Sequence, residues 1–143
     1  MGKGTKIMAL TDHRGLPLSI TVENGSPHES KLVAGLLEGA SKIPKYLLAD
    51  KAYDSDKLDM YVEEAHQAEV IAPHKKNRKK KATQDGRKLR RYKNRWKVER
   101  FFGWLDWQRR LTVRWEYHSI NFFGFVLLAA IRILLRHWIP NDL

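Results

Sequence analysis

Apolar residues recur along this chain with two different periods, and the switches between them mark its elements. Thr5 to Thr11 and Leu16 to Val22 predict two strands, the second carrying Leu16, Leu18, Ile20 and Val22 on one face. The short connection around His13, Arg14 and Gly15 predicts an antiparallel hairpin. Ser26-Pro27-His28-Glu29 then reads as a helix start, with Ser26 capping the amide of Glu29 and Pro27 at the first helical position. The helix that follows presents Leu32, Val33, Leu36 and Leu37, and Gly39 stops it. Tyr46 to Ala49 is a continuous apolar run of the size of a buried central strand, and it ends on Asp50. Leu58, Tyr61, Val62 and Ala65 return to helical spacing over residues 55–66, and Val70 to Ala72 predicts a further strand. Residues 74–90 show no periodicity and are expected to form a mobile basic loop. Val98, Phe101, Phe102 and Leu105 then fall at i, i+3, i+4 and i+7, one stripe of a helix running through Tyr92 to Leu111. A last apolar helix covers 121–139, ended by Pro140 and expected to be buried. The order β-β-α-β-α-β-loop-α-α predicts one mixed α/β layer fold with helices on the sheet faces.

Charge changes this picture from a fold into a candidate interface. The net charge is +11 over 143 residues, yet residues 1–73 carry 8 basic and 11 acidic side chains. Residues 74–97 carry 13 basic and one acidic. A cationic block beside a near-neutral body is the footprint of a polyanion, nucleic acid first and an anionic membrane surface second. Composition adds exclusions. With no cysteine there is no disulfide, thiolate nucleophile or zinc–sulfur site, which fits a cytoplasmic protein. The apolar run from Phe122 to Ile131, broken by Arg132 and Arg136, is shorter than the roughly 20 residues of a membrane span. No membrane partner is expected.

Two carboxylates stand out. Asp50 lies at the C-terminal end of a strand, where open α/β sheets place their ligands. Glu99 lies one helical turn from Arg95, beside the apolar stripe. Together they could hold a hard divalent cation, which takes one or two carboxylates with water and phosphate oxygens. Each position also suits a plain structural role, Asp50 as a turn or cap residue and Glu99 as a solvated charge. The aromatic side chains Trp96, Trp104 and Trp107 suit either base stacking or a core.

Asp50-Lys-Ala-Tyr-Asp54 resembles the second-aspartate motif of bacterial insertion-sequence transposases with an Asp-Asp-Glu (DDE) catalytic site. Tyr92, Arg95 and Glu99 are similar to that family's Tyr-Arg-Glu signature, as are residues 98–102, Arg109-Arg110-Leu111, residues 127–132 and the hairpin from Thr5 to Leu18. The likeness spans most of the chain and is strongest to the group numbered five. It implies an RNase H-like fold, Mg2+ (or Mn2+) dependence, and DNA cleavage and strand transfer at transposon ends. Asp50 and Glu99 would be catalytic metal ligands, with Tyr92 and Arg95 in support. Lys75, Lys76, Arg78, Lys79, Lys80, Lys81, Arg109 and Arg110 would grip double-stranded DNA at the ends and the target.

Two departures accompany the resemblance. The family carries a basic residue seven positions after the glutamate, where this chain has Asp106. The family's first catalytic aspartate also lies on a strand preceding the hairpin. The one early aspartate here is Asp12, at the hairpin turn. The chain is therefore expected to be the C-terminal part of a transposase catalytic domain lacking its first strand. It would be the downstream frame of a two-frame element, or else a truncated relic, and incomplete as a catalyst alone. An upstream-frame segment and a second copy of the chain are the protein partners this admits. The competing reading is a non-catalytic DNA-binding regulator derived from a transposase, which needs only the basic block.

Overall fold

The structure, a computed structural model, describes residues 4–79 and 85–139. Its elements are β1 (Thr5–Thr11), β2 (Pro17–Asn24), α1 (Val33–Glu38), β3 (Tyr46–Leu48), α2 (Asp56–His66), β4 (Glu69–Ile71), α3 (Gly86–Leu89), α4 (Trp96–Asp106), α5 (Arg109–Thr112) and α6 (Ser119–Trp138). Short 3-10 turns occupy Glu29–Lys31, Lys51–Tyr53 and Arg90–Arg95.

β1 and β2 form the expected antiparallel hairpin, in register from Thr5↔Asn24 to Leu10↔Ser19. Asp12 shapes its turn by accepting the Arg14 and Leu16 amides on one carboxylate oxygen, at 2.8 and 2.9 Å. Gly15 is required there, because its φ is +83° and a Cβ would meet the Lys97 carbonyl at 2.8 Å. The turn thus lies directly against α4. Arg100 locks the contact by donating to the Arg14 carbonyl while its guanidinium sits between the Trp96 and Trp104 rings, 4.9 and 5.0 Å from their centroids.

Helices cover both faces of this hairpin. Ile7, Ala9 and Ile20 pack with Phe101 and Leu105 of α4 and Ala129 of α6. On the other side Leu10 joins Val33 and Leu37 of α1, Leu47 of β3, Leu58 and Val62 of α2, and Val70 of β4. β3 and β4 pair in parallel, with Leu47 opposite Val70. The crossover helix α2 returns the chain between them, as a parallel pair demands.

Five expectations are corrected. The strands form two separate ladders, β1-β2 and β3-β4, rather than one continuous sheet. Ser26 caps nothing: Asn24 captures its amide and hydroxyl, both at 3.1 Å, in an Asx turn. The cap of the following turn is His28, whose Nδ1 accepts the Ser30 amide at 3.3 Å. The expected loop over 74–90 contains α3 and enters the 3-10 turn that leads into α4, and the helix beyond breaks at extended Gln108. Finally, α6 is not a buried helix. Phe122, Val126, Ala129 and Ala130 are buried, but Ile120, Leu128, Ile131, Leu135 and Trp138 are exposed, because only one stripe meets the body. By length and composition alone α6 could cross a membrane. Pro140 lies outside the described residues.

Candidate active site

The site assembles where β3 ends beside the start of α4. Asp50 caps the 3-10 turn that follows β3 and accepts the Lys51 amide. Its other carboxylate oxygen lies 3.3 Å from Nη1 of Arg95, and Nη2 of the same guanidinium lies 2.5 Å from Glu99. One cation thus holds two carboxylates that are distant in sequence. The Arg95 guanidinium also sits 5.5 Å from the Tyr92 ring centroid, so the aromatic side chain limits where it can swing. Side-chain exposure of 52% for Asp50 and 55% for Glu99 leaves both reachable by water and by a phosphodiester. These carboxylates border a cavity of about 400 Å³ lined by Met8, Leu47, Val98 and Phe102.

Asp50 and Glu99 are oxygen donors of the type a hard divalent cation takes. A guanidinium already occupies the position between the carboxylates, and magnesium is satisfied by one or two carboxylates with the remaining oxygens from water and substrate. Asp50 and Glu99 would hold the ion. Among the described residues no cluster of three metal-ligating side chains exists. Asp106 does not extend the set, because it lies exposed at the end of α4, about 10 Å along the axis from Glu99 at 1.5 Å per residue.

A second polar cluster lies just beyond Asp50, and spacing gave no sign of it. The Asp54 carboxylate, only 3% exposed, accepts from Nδ1 of His74, the Lys75 amide and Nη1 of Arg78, each at 2.8 Å. Nη2 of Arg78 reaches Asp56 at 2.6 Å. Burial pushes the Asp54 carboxyl up, but the Lys75 amide, the His74 hydrogen bond and the positive charges outweigh it and hold it below the usual range. Asp59 goes the other way, up to about 6, through burial and then the negative charges of Asp56 and Asp54. The Tyr53 hydroxyl is pushed up to about 12, chiefly by burial and then by the charges of Glu29 and Asp50.

The cationic residues separate into distinct environments. Lys75, Lys76 and Lys79 are exposed, whereas Arg78 is folded inward onto Asp54 and Asp56. Lys80 and Lys81 lie outside the described residues. Arg109 and Arg110 are exposed on α5, with Arg110 3.7 Å from Glu116 and over the Phe125 ring. Trp96 is half exposed and Trp107 is 86% exposed, so neither belongs to the core.

A protein with these motifs on an α/β frame of this kind is a transposase: the family model described as "Transposase DDE domain" matches residues 2–134, and the chain belongs to that family. Its relatives are insertion-sequence proteins. It is 34% identical over 132 residues to a putative transposase for insertion sequence element IS6501 of Brucella ovis, covering 92% of this chain and 98% of that protein. It is 28% identical over 137 residues to a putative transposase for insertion sequence element IS402 of Burkholderia cepacia, covering 89% of this chain but only 61% of that protein. No solved structure matches.

Proposed function

We propose that this chain is the C-terminal part of an RNase H-like transposase catalytic domain, spanning residues 1–143 as one unit. Asp50 and Glu99 would be metal ligands, Tyr92 and Arg95 would support them, and DNA at the transposon ends would be the substrate. The observation that carries this reading is the meeting of Asp50 and Glu99 on the single guanidinium of Arg95. Two carboxylates that share one cation at an exposed strand end are poised for a divalent ion. A bound Mg2+ or Mn2+ would activate a water or hydroxyl and stabilise the leaving oxygen of a phosphodiester.

The chain's own residues divide the remaining work. Arg95 keeps the two carboxylates from repelling each other apart. Lys75, Lys76 and Lys79, with Arg109 and Arg110, offer charge to the phosphate backbone. Arg78 holds the basic segment in place through Asp54 and Asp56. The likeness to the group numbered five and the two-frame origin belong to this proposal, as does a cytoplasmic location. So does incompleteness as a catalyst, because Asp12 is spent on the hairpin turn.

Nuclear magnetic resonance tests the site directly. Added Mn2+ is expected to broaden the amide signals around Asp50 and Glu99, and Asp50→Asn with Glu99→Gln should abolish the effect. Broadening confined to other carboxylates would sink the assignment. Cleavage of transposon-end DNA by this chain alone with magnesium would overturn the incompleteness.

The exposed cations Lys75, Lys76 and Lys79, which can meet a phosphate backbone without a metal, favour one second reading, a non-catalytic DNA-binding regulator. It requires salt-dependent DNA affinity that is indifferent to manganese and to both carboxylate substitutions.

A further inference from the structure

The end of α4 and the last turns of α6 enclose a cavity of about 670 Å³ that shares no lining residue with the carboxylate site. Trp107 follows Glu99 by eight residues, about 12 Å along the α4 axis, so the two places are separate. Trp104 and Trp107 give the cavity two indoles, and Arg132, Arg136 and His137 give it three basic side chains. Leu16 and Ile133 supply apolar surface, and no acidic side chain lines it.

The ends of the helices explain why these groups stay available. Trp107 caps the C-terminus of α4, and the chain leaves the helix through extended Gln108. No further turn of α4 covers the Trp107 indole, which is left open to water. Trp104 is more enclosed, because the Arg100 guanidinium lies over its ring. Arg132 and Arg136 are four residues apart on α6, which places them one above the other on the same face. Nη1 of Arg132 donates to the Gln108 side-chain oxygen at 3.1 Å, and that bond fixes the guanidinium beside the residue that follows Trp107. Arg136 and His137 occupy the last turn of α6, where the helix end favours positive charge even without a carboxylate partner.

An open indole beside two arginine forks matches the two halves of a nucleotide. The ring offers a face on which any base can stack, and guanidinium forks suit phosphate oxygens. A purely apolar ligand would leave the arginines unused, and a simple anion would leave the indole unused. The volume falls within the range of about 300–1,000 Å³ usual for small-ligand sites. We propose that this cavity binds one nucleotide by its unpaired base and its phosphate. The base stacks on Trp107 against Leu16 and Ile133, and Arg132 and Arg136 hold the phosphate. The ligand is a free nucleotide or an unpaired residue of a DNA strand, since a base inside a duplex has both faces covered. The site uses neither Asp50 nor Glu99, so it goes beyond the catalytic and the regulator readings and depends on neither.

Nuclear magnetic resonance on the full chain, with a chelator present, tests it through the Trp107 indole N–H signal, identified by its loss in Trp107→Leu. The probes are dAMP, a ten-nucleotide oligodeoxyadenylate, an abasic strand of the same length, and inorganic phosphate. A saturable shift of the Trp107 signal is expected with the oligonucleotide, and Arg136→Gln should weaken it by about tenfold or more. Trp107→Leu changes an exposed side chain and should weaken binding by a similar factor, read from the Arg132 side-chain N–H signal. A shift with dAMP as well assigns the site to nucleotides at large, and a shift with the oligonucleotide but not dAMP assigns it to an unpaired strand. Either result supports the nucleotide site. An equal shift with the abasic strand or with phosphate marks an anion site only and overturns it, as does no shift with any probe. Divalent metal is absent throughout, so failure here leaves the transposase reading standing, and a failed manganese test leaves this site standing.

Discussion

Replacing Asp54 with alanine tests whether the basic segment is anchored by a buried charge. The carboxylate is 3% exposed and accepts three hydrogen bonds, two from side chains able to carry positive charge. Hydrogen bonds to a charged group are worth about 1.5–3 kcal/mol each, and breaking a buried pair costs about 3–5 kcal/mol. Arg78 keeps Asp56 as a partner in the variant, which offsets part of that loss. Asp54→Ala is therefore expected to lower the unfolding free energy by about 3–4 kcal/mol at pH 7, read from urea titration with an unchanged m value. The pH dependence supplies a second check. Because the folded-state carboxyl lies below its ordinary value, its contribution is present above the unfolded pKa of about 3.9 and is lost as pH falls through the lower folded value. The gap between the natural chain and the variant should shrink at low pH. A difference below about 1 kcal/mol at pH 7 would refute the anchor. So would an unchanged exchange rate for the Lys75 amide.

Asp59→Asn should act in the opposite direction. Its carboxyl is raised to about 6, so its stability contribution is full below about 3.9 and lost as pH rises through about 6. Discounted for partial exposure, the variant should gain about 1–2 kcal/mol at pH 8 and nothing at pH 4, measured by denaturant titration at both. Phe101 is fully buried between the hairpin and α6, and Phe101→Ala should cost about 3–5 kcal/mol, seen as a lower urea midpoint. Joint replacement of Lys75, Lys76 and Lys79 by Gln should reduce the slope of log affinity for double-stranded DNA against log salt by up to about 2.7, at about 0.9 per phosphate contact. An unchanged slope would place the DNA elsewhere.

The hairpin was legible because β-strand alternation and a glycine-bearing turn are local signals, and β1 spans the residues expected of it. The Asp50 and Glu99 pairing was legible as a motif, but its physical form was not. That Arg95 binds both carboxylates depends on β3 and α4 being neighbours, which no local period encodes. The Asp54 anchor was missed for the same reason, since its partners at 74–78 sit in a segment with no periodicity at all. Only an acidic residue just after a strand and a histidine heading a basic run hinted at it. The misjudged burial of α6 has a different origin. Hydrophobicity reports what a helix could bury, whereas the body offers contact along only one of its sides.

Asp50 and Asp54 bracket a single 3-10 turn, closed by the Tyr53 amide on the Asp50 carbonyl at 2.9 Å and the Asp54 amide on the Lys51 carbonyl at 3.2 Å. So short a linkage carries a carboxylate at either end. One end is bolted to the basic segment and the other meets Arg95 and Glu99. The basic segment and the Arg95 cluster are thus joined through one short turn rather than through the hydrophobic core.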